Sequence, residues 1–228
     1  MRDLDYTASP RVSAHSFGPA KPEDFLAVGP ASLAGARMRF ERNAEIFGQG
    51  ETADYVYRVV SGAVRTVHFS SEGRRQIIAF HLPGDVFGLD FAAEHGFAAE
   101  AVSDAEILMV RRALVDKAAA ENGAAMRALL SMAASQMHDA QEHAVILGLK
   151  GAAERLAAFL VRMAERLKGS SELDLPMSRA DIADHLALTI ETVSRAFTQM
   201  ERDRAIALPS ARHVVLRDWR ALEMMQAA

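Results

Sequence analysis

The chain has 228 residues, half of them apolar and a quarter charged, enough to bury the core of one large or two modest domains. It holds no cysteine, which excludes disulfides, zinc–thiolate sites, cysteine-ligated iron–sulfur clusters and thiol redox sensing. With a formal charge of −4, any affinity for nucleic acid has to come from a local basic patch.

The opening residues carry prolines at 10, 19, 22 and 30 and no apolar core of a signal peptide, so residues 1–20 read as a loose tail. No stretch approaches the ~20 apolar residues that cross a bilayer. The expectation is a cytoplasmic protein with no membrane partner.

From Met38 the texture changes to short β-rich runs: MRFERNAEIF, YVYRVVSG, AVRTVHFS, RRQIIAFHL, DVFGLDF and AEILMV. Glycines at 48, 50, 62, 73, 84, 88 and 96 punctuate them, the pattern of an all-β sandwich or barrel. SSEGRR over 70–75 predicts a hairpin turn with Gly73 at positive φ.

After about Arg112 a long helical pattern begins. Met126, Leu130, Ala133, Met137, Ala140, Ala144 and Leu147 alternate in steps of four and three, an apolar a/d seam over three heptads. Such a seam either packs on its own domain or pairs with the same helix of a second subunit; the pattern favours a homodimer, with His138, Asp139, Gln141 and Glu142 off the seam. Gly148 and Gly151 predict a hinge. A further helix over about 152–168 places Leu156, Phe159, Leu160, Met163 and Leu167 on one face. A polar loop with a short extended stretch, KGSSELDLP, follows.

The segment PMSRADIADHLALTIETVSRAFTQMER (176–202) predicts two short helices joined by a tight turn. Ser178 with Asp181 three residues on makes an acidic capping box. The first helix ends near Ala187–Leu188, and Thr189 caps a second running from Ile190 to about Arg202. Val193, Ala196, Phe197 and Met200 form its apolar face, while Glu191, Ser194, Arg195 and Thr198 lie on its polar side. In a helix-turn-helix the second helix presents its N-terminal side chains to the major groove. Arg195 suits a bidentate pair to guanine, Glu191 can accept from cytosine N4, and Ile190 suits a thymine methyl. The blander alternative is a solvated helix with a Glu191–Arg195 pair at i and i+4; the helix-turn-helix context favours readout. Ser194, Thr189, Thr192, Arg179 and Thr198 complete the predicted DNA-binding set.

From Glu191 to Arg220, six arginines face four carboxylates, a local net of +2. Residues 205–217, AIALPSARHVVLR, predict a hairpin wing whose basic groups, with His213 as a further donor, contact phosphates.

ADIADHLALTIETVSRAF, preceded by a β-rich region containing FHLPGDVFGL and by a long helix, resembles the Crp/Fnr family of bacterial transcription regulators. IIAFHLPGDVFGLDF, HGFAAEAVSDAEI and Glu191-x-x-Ser194-Arg195 are most similar to its FixK branch. The resemblance implies an α+β chain: tail 1–20, jelly-roll β-roll of the cyclic-nucleotide-binding type over 21–112, dimerisation helix 113–149, and winged helix-turn-helix 150–228 with its helical pair at about 179–198. It implies a dimer on a TTGAT–ATCAA-like inverted repeat, contacted by Ile190, Glu191 and Arg195 with Ser194 close by. It further implies activation through RNA polymerase, touched by exposed β-roll loops, at low-oxygen or nitrogen-related genes.

Departures from the family bear on the signal. Cyclic-AMP-binding relatives carry an Arg-Ser pair on the phosphate arm, whereas EHGFAAEAVS (94–103) holds no arginine. A cyclic phosphate would meet Glu94 and Glu100 without a cation, so no cyclic nucleotide is expected. His68, His81 and His95 leave a haem- or ligand-gated sensor as the alternative; the preferred reading has no cofactor and no small-molecule effector. The turn between the two helices has Ala187 where glycine is frequent, costly if φ is positive. No nucleophile elbow, phosphate-cradling loop or metal-spaced cluster supports an enzyme. A ligand-gated binding module that uses its helices only for assembly is the remaining alternative.

Overall fold

The computed structural model describes residues 35–90, 92–149, 151–167 and 170–226. The predicted tail over 1–20 and the first part of the predicted β-roll lie outside them.

Eight strands open the described chain: β1 (Gly35–Phe40), β2 (Glu45–Phe47), β3 (Tyr55–Ser61), β4 (Val64–Phe69), β5 (Arg75–His81), β6 (Val86–Phe87), β7 (Ala98–Ala101) and β8 (Ala105–Arg111). They form two four-stranded antiparallel sheets, ordered β1-β8-β3-β6 and β2-β7-β4-β5. Phe47, Tyr57, Val59, Val64, Phe87, Ala101 and Ile107 pack together as one of the buried clusters. The turn between β4 and β5 places Gly73 at φ 75°, as the SSEGRR stretch requires. DVFGLDF forms only the two-residue β6, because Gly88 turns the chain at φ 72° and a Cβ there would lie 2.7 Å from the Tyr57 ring. Strand β7, Ala-Ala-Glu-Ala, has no β-rich signature; it is a strand because β2 and β4 pair with it on both sides.

The single helix expected over 113–149 is two helices, α1 (Arg112–Glu121) and α2 (Gly123–Gly148). Asn122 breaks them at φ −133°, and its side chain accepts from the amides of Ala124 and Ala125, capping α2. One face of α2 buries Ala125, Ala128, Leu129 and Met132 in a cluster with Val56, Val86, Val110 and Val115, and Gln136 donates to the Val86 carbonyl at 2.9 Å. The heptad seam points elsewhere. Leu130 is 60% exposed and Met137 61%; Met126, Ala140 and Ala144 are also exposed, and Ala133 and Leu147 are half-buried.

Helix α3 (Ala152–Arg166) starts at the predicted glycine hinge and buries Leu156, Phe159, Leu160 and Met163. Strand β9 (Glu172–Asp174), α4 (Arg179–Leu186), α5 (Ile190–Arg202), β10 (Ile206–Ala207), β11 (His213–Leu216) and α6 (Trp219–Gln226) complete the chain. β10, β11 and β9 form a three-stranded sheet, so the extended stretch before the helical pair joins the predicted wing. The sequence reading has no counterpart to α6, whose Leu222 is fully buried in the same cluster as α3. That cluster runs without interruption from Val67, Ile77 and Phe80 of the β-roll through α3 to Leu186, Val193 and Phe197.

Candidate nucleic-acid interface

Local chemistry builds the helix-turn-helix. The Ser178 hydroxyl accepts from the Asp181 amide at 3.1 Å while Asp181 Oδ2 accepts from the Ser178 amide at 3.0 Å, a complete capping box that starts α4. Ile182, Ala183 and Leu186 are buried. Ala187 then reverses the chain at φ 52°, ψ 47°, the positive-φ position at which the sequence lacks a glycine. Its amide and that of Leu188 both donate to the Ala183 carbonyl. Thr189 starts α5 by accepting from the Thr192 amide at 3.2 Å, and Val193, Ala196, Phe197 and Met200 anchor that helix in the core.

This anchoring leaves one face open. Ile190, 49% exposed, lies with Glu191, Ser194, Arg195 and Thr198 on the solvent side. Ser194, Arg195, Thr198, Gln199 and Arg202 line an open groove there. The Glu191–Arg195 pair expected from the i, i+4 spacing is absent: among the described residues no ion pair joins them. Glu191 is held below the usual carboxylate range by the backbone amide at the helix start and the Thr189 hydroxyl, with Arg195 adding to the effect. Both side chains are exposed on this open face. Thr198 donates its hydroxyl to the Ser194 carbonyl at 3.0 Å, and the Thr189 and Thr192 hydroxyls share one hydrogen bond at 2.9 Å.

Arg179 departs from the predicted set. Its guanidinium lies 3.1 Å over the Phe197 ring, with Nη1 buried and without a hydrogen-bond partner, and burial pushes its pKa down to about 10. It is packed against the anchor of α5 instead of standing on the open face. His213 likewise is engaged: Nδ1 meets Asp174 Oδ1 at 2.7 Å and Nε2 lies 4.0 Å from Glu172, so it is no free donor of the wing. Arg202, Arg204, Arg212, Arg217 and Arg220 are exposed.

In the β-roll, five rings crowd one region. His95 stacks on Phe47 at 3.7 Å and binds Asp90 at 2.7 Å. Tyr57 and Phe87 adjoin, and His81 stacks on Phe87 at 5.0 Å, its pKa pushed down to about 3 by burial and by Arg166. Glu100, expected to lack a cation, is paired: Arg65 Nε donates to its Oε2 at 2.8 Å. The stretch 94–103 holds no arginine, but β4 supplies one from the neighbouring strand. Among the described residues no group of three His, Asp or Glu could hold a metal, and no helix is long and apolar enough to cross a membrane.

Arg65 belongs to an ion cluster that the sequence did not announce. Arg65 Nη1 donates to Asp181 Oδ1 at 2.8 Å, and Arg75 reaches Asp181 at 3.2 Å and Asp184 at 2.6 Å. Burial by itself would raise the Asp181 carboxyl, but the Ser178 amide and hydroxyl, Arg65 and Arg75 hold it below the usual range. The capping box flagged Asp181; nothing flagged partners 106 and 116 residues away.

A winged helix-turn-helix with an open, charged recognition face, joined to a two-sheet β-roll, defines a DNA-binding transcription regulator. A Crp-like helix-turn-helix domain matches residues 154–225 and a cyclic nucleotide-binding domain matches residues 37–122. The chain is 41% identical over 224 residues to the nitrogen fixation regulation protein FixK of Azorhizobium caulinodans, covering 96% of this chain and 90% of the relative. It is 41% identical over 199 residues to the FixK protein of Rhizobium meliloti, covering 86% and 91%. The solved structure of FixK2 from Bradyrhizobium japonicum aligns with a TM-score of 0.82 and 44% identity, covering 86% of this chain and 99% of that one. The chain belongs to the Crp/Fnr family of transcription regulators and is FixK-like.

Proposed function

We propose that this regulator binds, as a homodimer, an inverted repeat of the TTGAT–ATCAA kind, and that it activates transcription at low-oxygen or nitrogen-related genes in the cytoplasm. The observation that carries this reading is the open face of α5: Arg195 reads guanine, Glu191 accepts from cytosine and Ile190 meets a thymine methyl, with Ser194 alongside. Thr189, Thr192 and Thr198 border these contacts. Arg179 joins them only by leaving Phe197 for a phosphate, which its unpartnered Nη1 favours. The division of labour is a β-roll to residue 112, dimerisation through 113–149 and DNA binding from 150 onward.

The exposed seam of Met126, Leu130, Ala133, Met137, Ala140, Ala144 and Leu147 supports pairing of α2 with a second copy. Two-fold symmetry then spaces the recognition helices ~34 Å apart, one turn of B-DNA. The regulator works without cofactor or small-molecule effector. The absence of any arginine from the stretch 94–103 supports this, since a cyclic phosphate finds no cation there. RNA polymerase is the protein partner.

The test is fluorescence anisotropy of purified, effector-free protein on a TTGAT–ATCAA duplex across a salt series. Tight binding that weakens with salt, prefers this duplex to a scrambled one and is unmoved by cyclic AMP supports the reading. Dependence on cyclic AMP overturns the effector-free part, and equal affinity for the scrambled duplex overturns the operator.

A further inference from the structure

The ion cluster between the β-roll and the helix-turn-helix is absent from the readout above, yet it is among the most buried charged groups described. The Arg65 side chain is 7% exposed and that of Asp181 6%. A buried ion pair is a poor way to gain stability, because desolvation offsets most of the attraction; removing one partner, by contrast, leaves a buried charge unpaired. Its effect is directional. The pair is favourable in one geometry only, so it favours that geometry over its neighbours.

Here the geometry is the seating of the helix-turn-helix on the β-roll. Asp181 uses one carboxylate oxygen to cap α4 through Ser178 and the other to receive Arg65 and Arg75. The residue that starts the first helix of the motif is thus also its anchor. Arg75 holds Asp184 one turn further on with Nε at 2.8 Å and Nη2 at 2.6 Å. Beyond it, the Gln76 side chain donates to the His185 carbonyl at 3.3 Å, and His185 Nδ1 meets the Ile77 carbonyl at 3.1 Å. Along α4, contacts at 181, 184 and 185 grip β4 and β5. Because Ala183 and Leu186 of α4 share the core with Val193 and Phe197 of α5, turning α4 turns the recognition helix with it.

We infer that Arg65 and Arg75 are positioning residues for operator recognition. By holding Asp181 and Asp184 they set the angle of each recognition helix relative to the dimer seam, and therefore the half-site spacing the dimer accepts. They touch no base. The inference rests on the dimeric inverted-repeat reading. It differs from a stability role in a measurable way: general destabilisation weakens binding to every operator alike, whereas loosened seating weakens discrimination between spacings.

The experiment measures affinity for three duplexes whose half-sites are separated by the preferred spacer, one base pair fewer and one base pair more. Wild type is compared with Arg75→Gln, Arg65→Gln and the conservative Arg75→Lys, which keeps a cation between Asp181 and Asp184. Arg75→Gln is the safer probe, since its side chain is 29% exposed. The expected result is a folded dimer whose preference for the best spacer over the other two falls by about tenfold in the glutamine variants, with much of it kept in Arg75→Lys. If wild type discriminates and Arg75→Gln keeps the same ratio, the inference is overturned while the dimeric reading stands. A uniform loss across all three spacers also overturns it. If wild type itself does not discriminate, the dimeric reading fails and the inference with it.

Discussion

Replacing Ala187 by glycine should make the protein more stable. Ala187 sits at φ 52°, ψ 47° in the turn between α4 and α5, where an L-residue with a Cβ is strained by ~1–2 kcal/mol. The residue is exposed, so losing its methyl gives up little packing. The hydrogen bonds from the amides of residues 187 and 188 to the Ala183 carbonyl are kept by glycine. Against the relief stands the greater freedom of glycine in the unfolded chain, ~0.4–1 kcal/mol. The balance is a gain of about 1 kcal/mol, or ~2–4 °C in Tm for a chain of this size. Thermal unfolding followed by circular dichroism measures it, with Ala187→Asn expected between alanine and glycine because asparagine tolerates this conformation better. An unchanged or lowered Tm for Ala187→Gly would refute the claim that the turn is strained.

Arg195→Ala should cost ~1–3 kcal/mol of discrimination per half-site, seen as lost preference for the guanine-containing sequence, with sedimentation and circular dichroism unchanged; a preserved preference would remove Arg195 from readout. Glutamates at both Leu130 and Met137 should convert the dimer to monomer in sedimentation velocity. Because both sites are exposed in the single chain, monomer stability should move by no more than ~0.5 kcal/mol, and an intact dimer would rule out the seam. Acid should destabilise the fold through His185, whose pKa burial and His143 push down to about 3 from an ordinary value near ~6.5. Below that ordinary value the unfolded chain binds a proton that the folded one refuses. Stability is therefore complete above about pH 6.5 and falls as pH drops toward 3. His185→Phe, which keeps a ring against His143, Phe80 and Phe159, should give a shallower fall between pH 6 and 4 in urea titrations. An identical slope would show that His185 does not titrate on unfolding.

The helix-turn-helix was legible almost residue by residue because its signals are local. Ser178 and Asp181 cap one helix, Thr189 caps the next, and Val193, Ala196, Phe197 and Met200 recur at helical spacing within a few residues of one another. The exposed seam on α2 was legible for the same reason. Asn122 carried a legible signal too, as a cap-forming residue followed by glycine, but the continuity of apolar spacing on either side masked it.

What stayed hidden depends on partners distant in the chain. Ala-Ala-Glu-Ala is a strand only because β2 and β4 flank it, and small side chains suit that crowded place. His213 looks like a free wing donor until β9 brings Asp174 to its ring, and Arg179, one of the predicted DNA-binding residues, lies over the Phe197 ring. By itself the sequence determined that this chain carries a capped helix pair with an arginine on the polar face of its second helix, because capping and periodicity act over a turn or two of helix. Only the tertiary structure decided how that pair is held, through Arg65 and Arg75 on Asp181 and Asp184, because a buried charge finds its partner by packing and not by spacing along the chain.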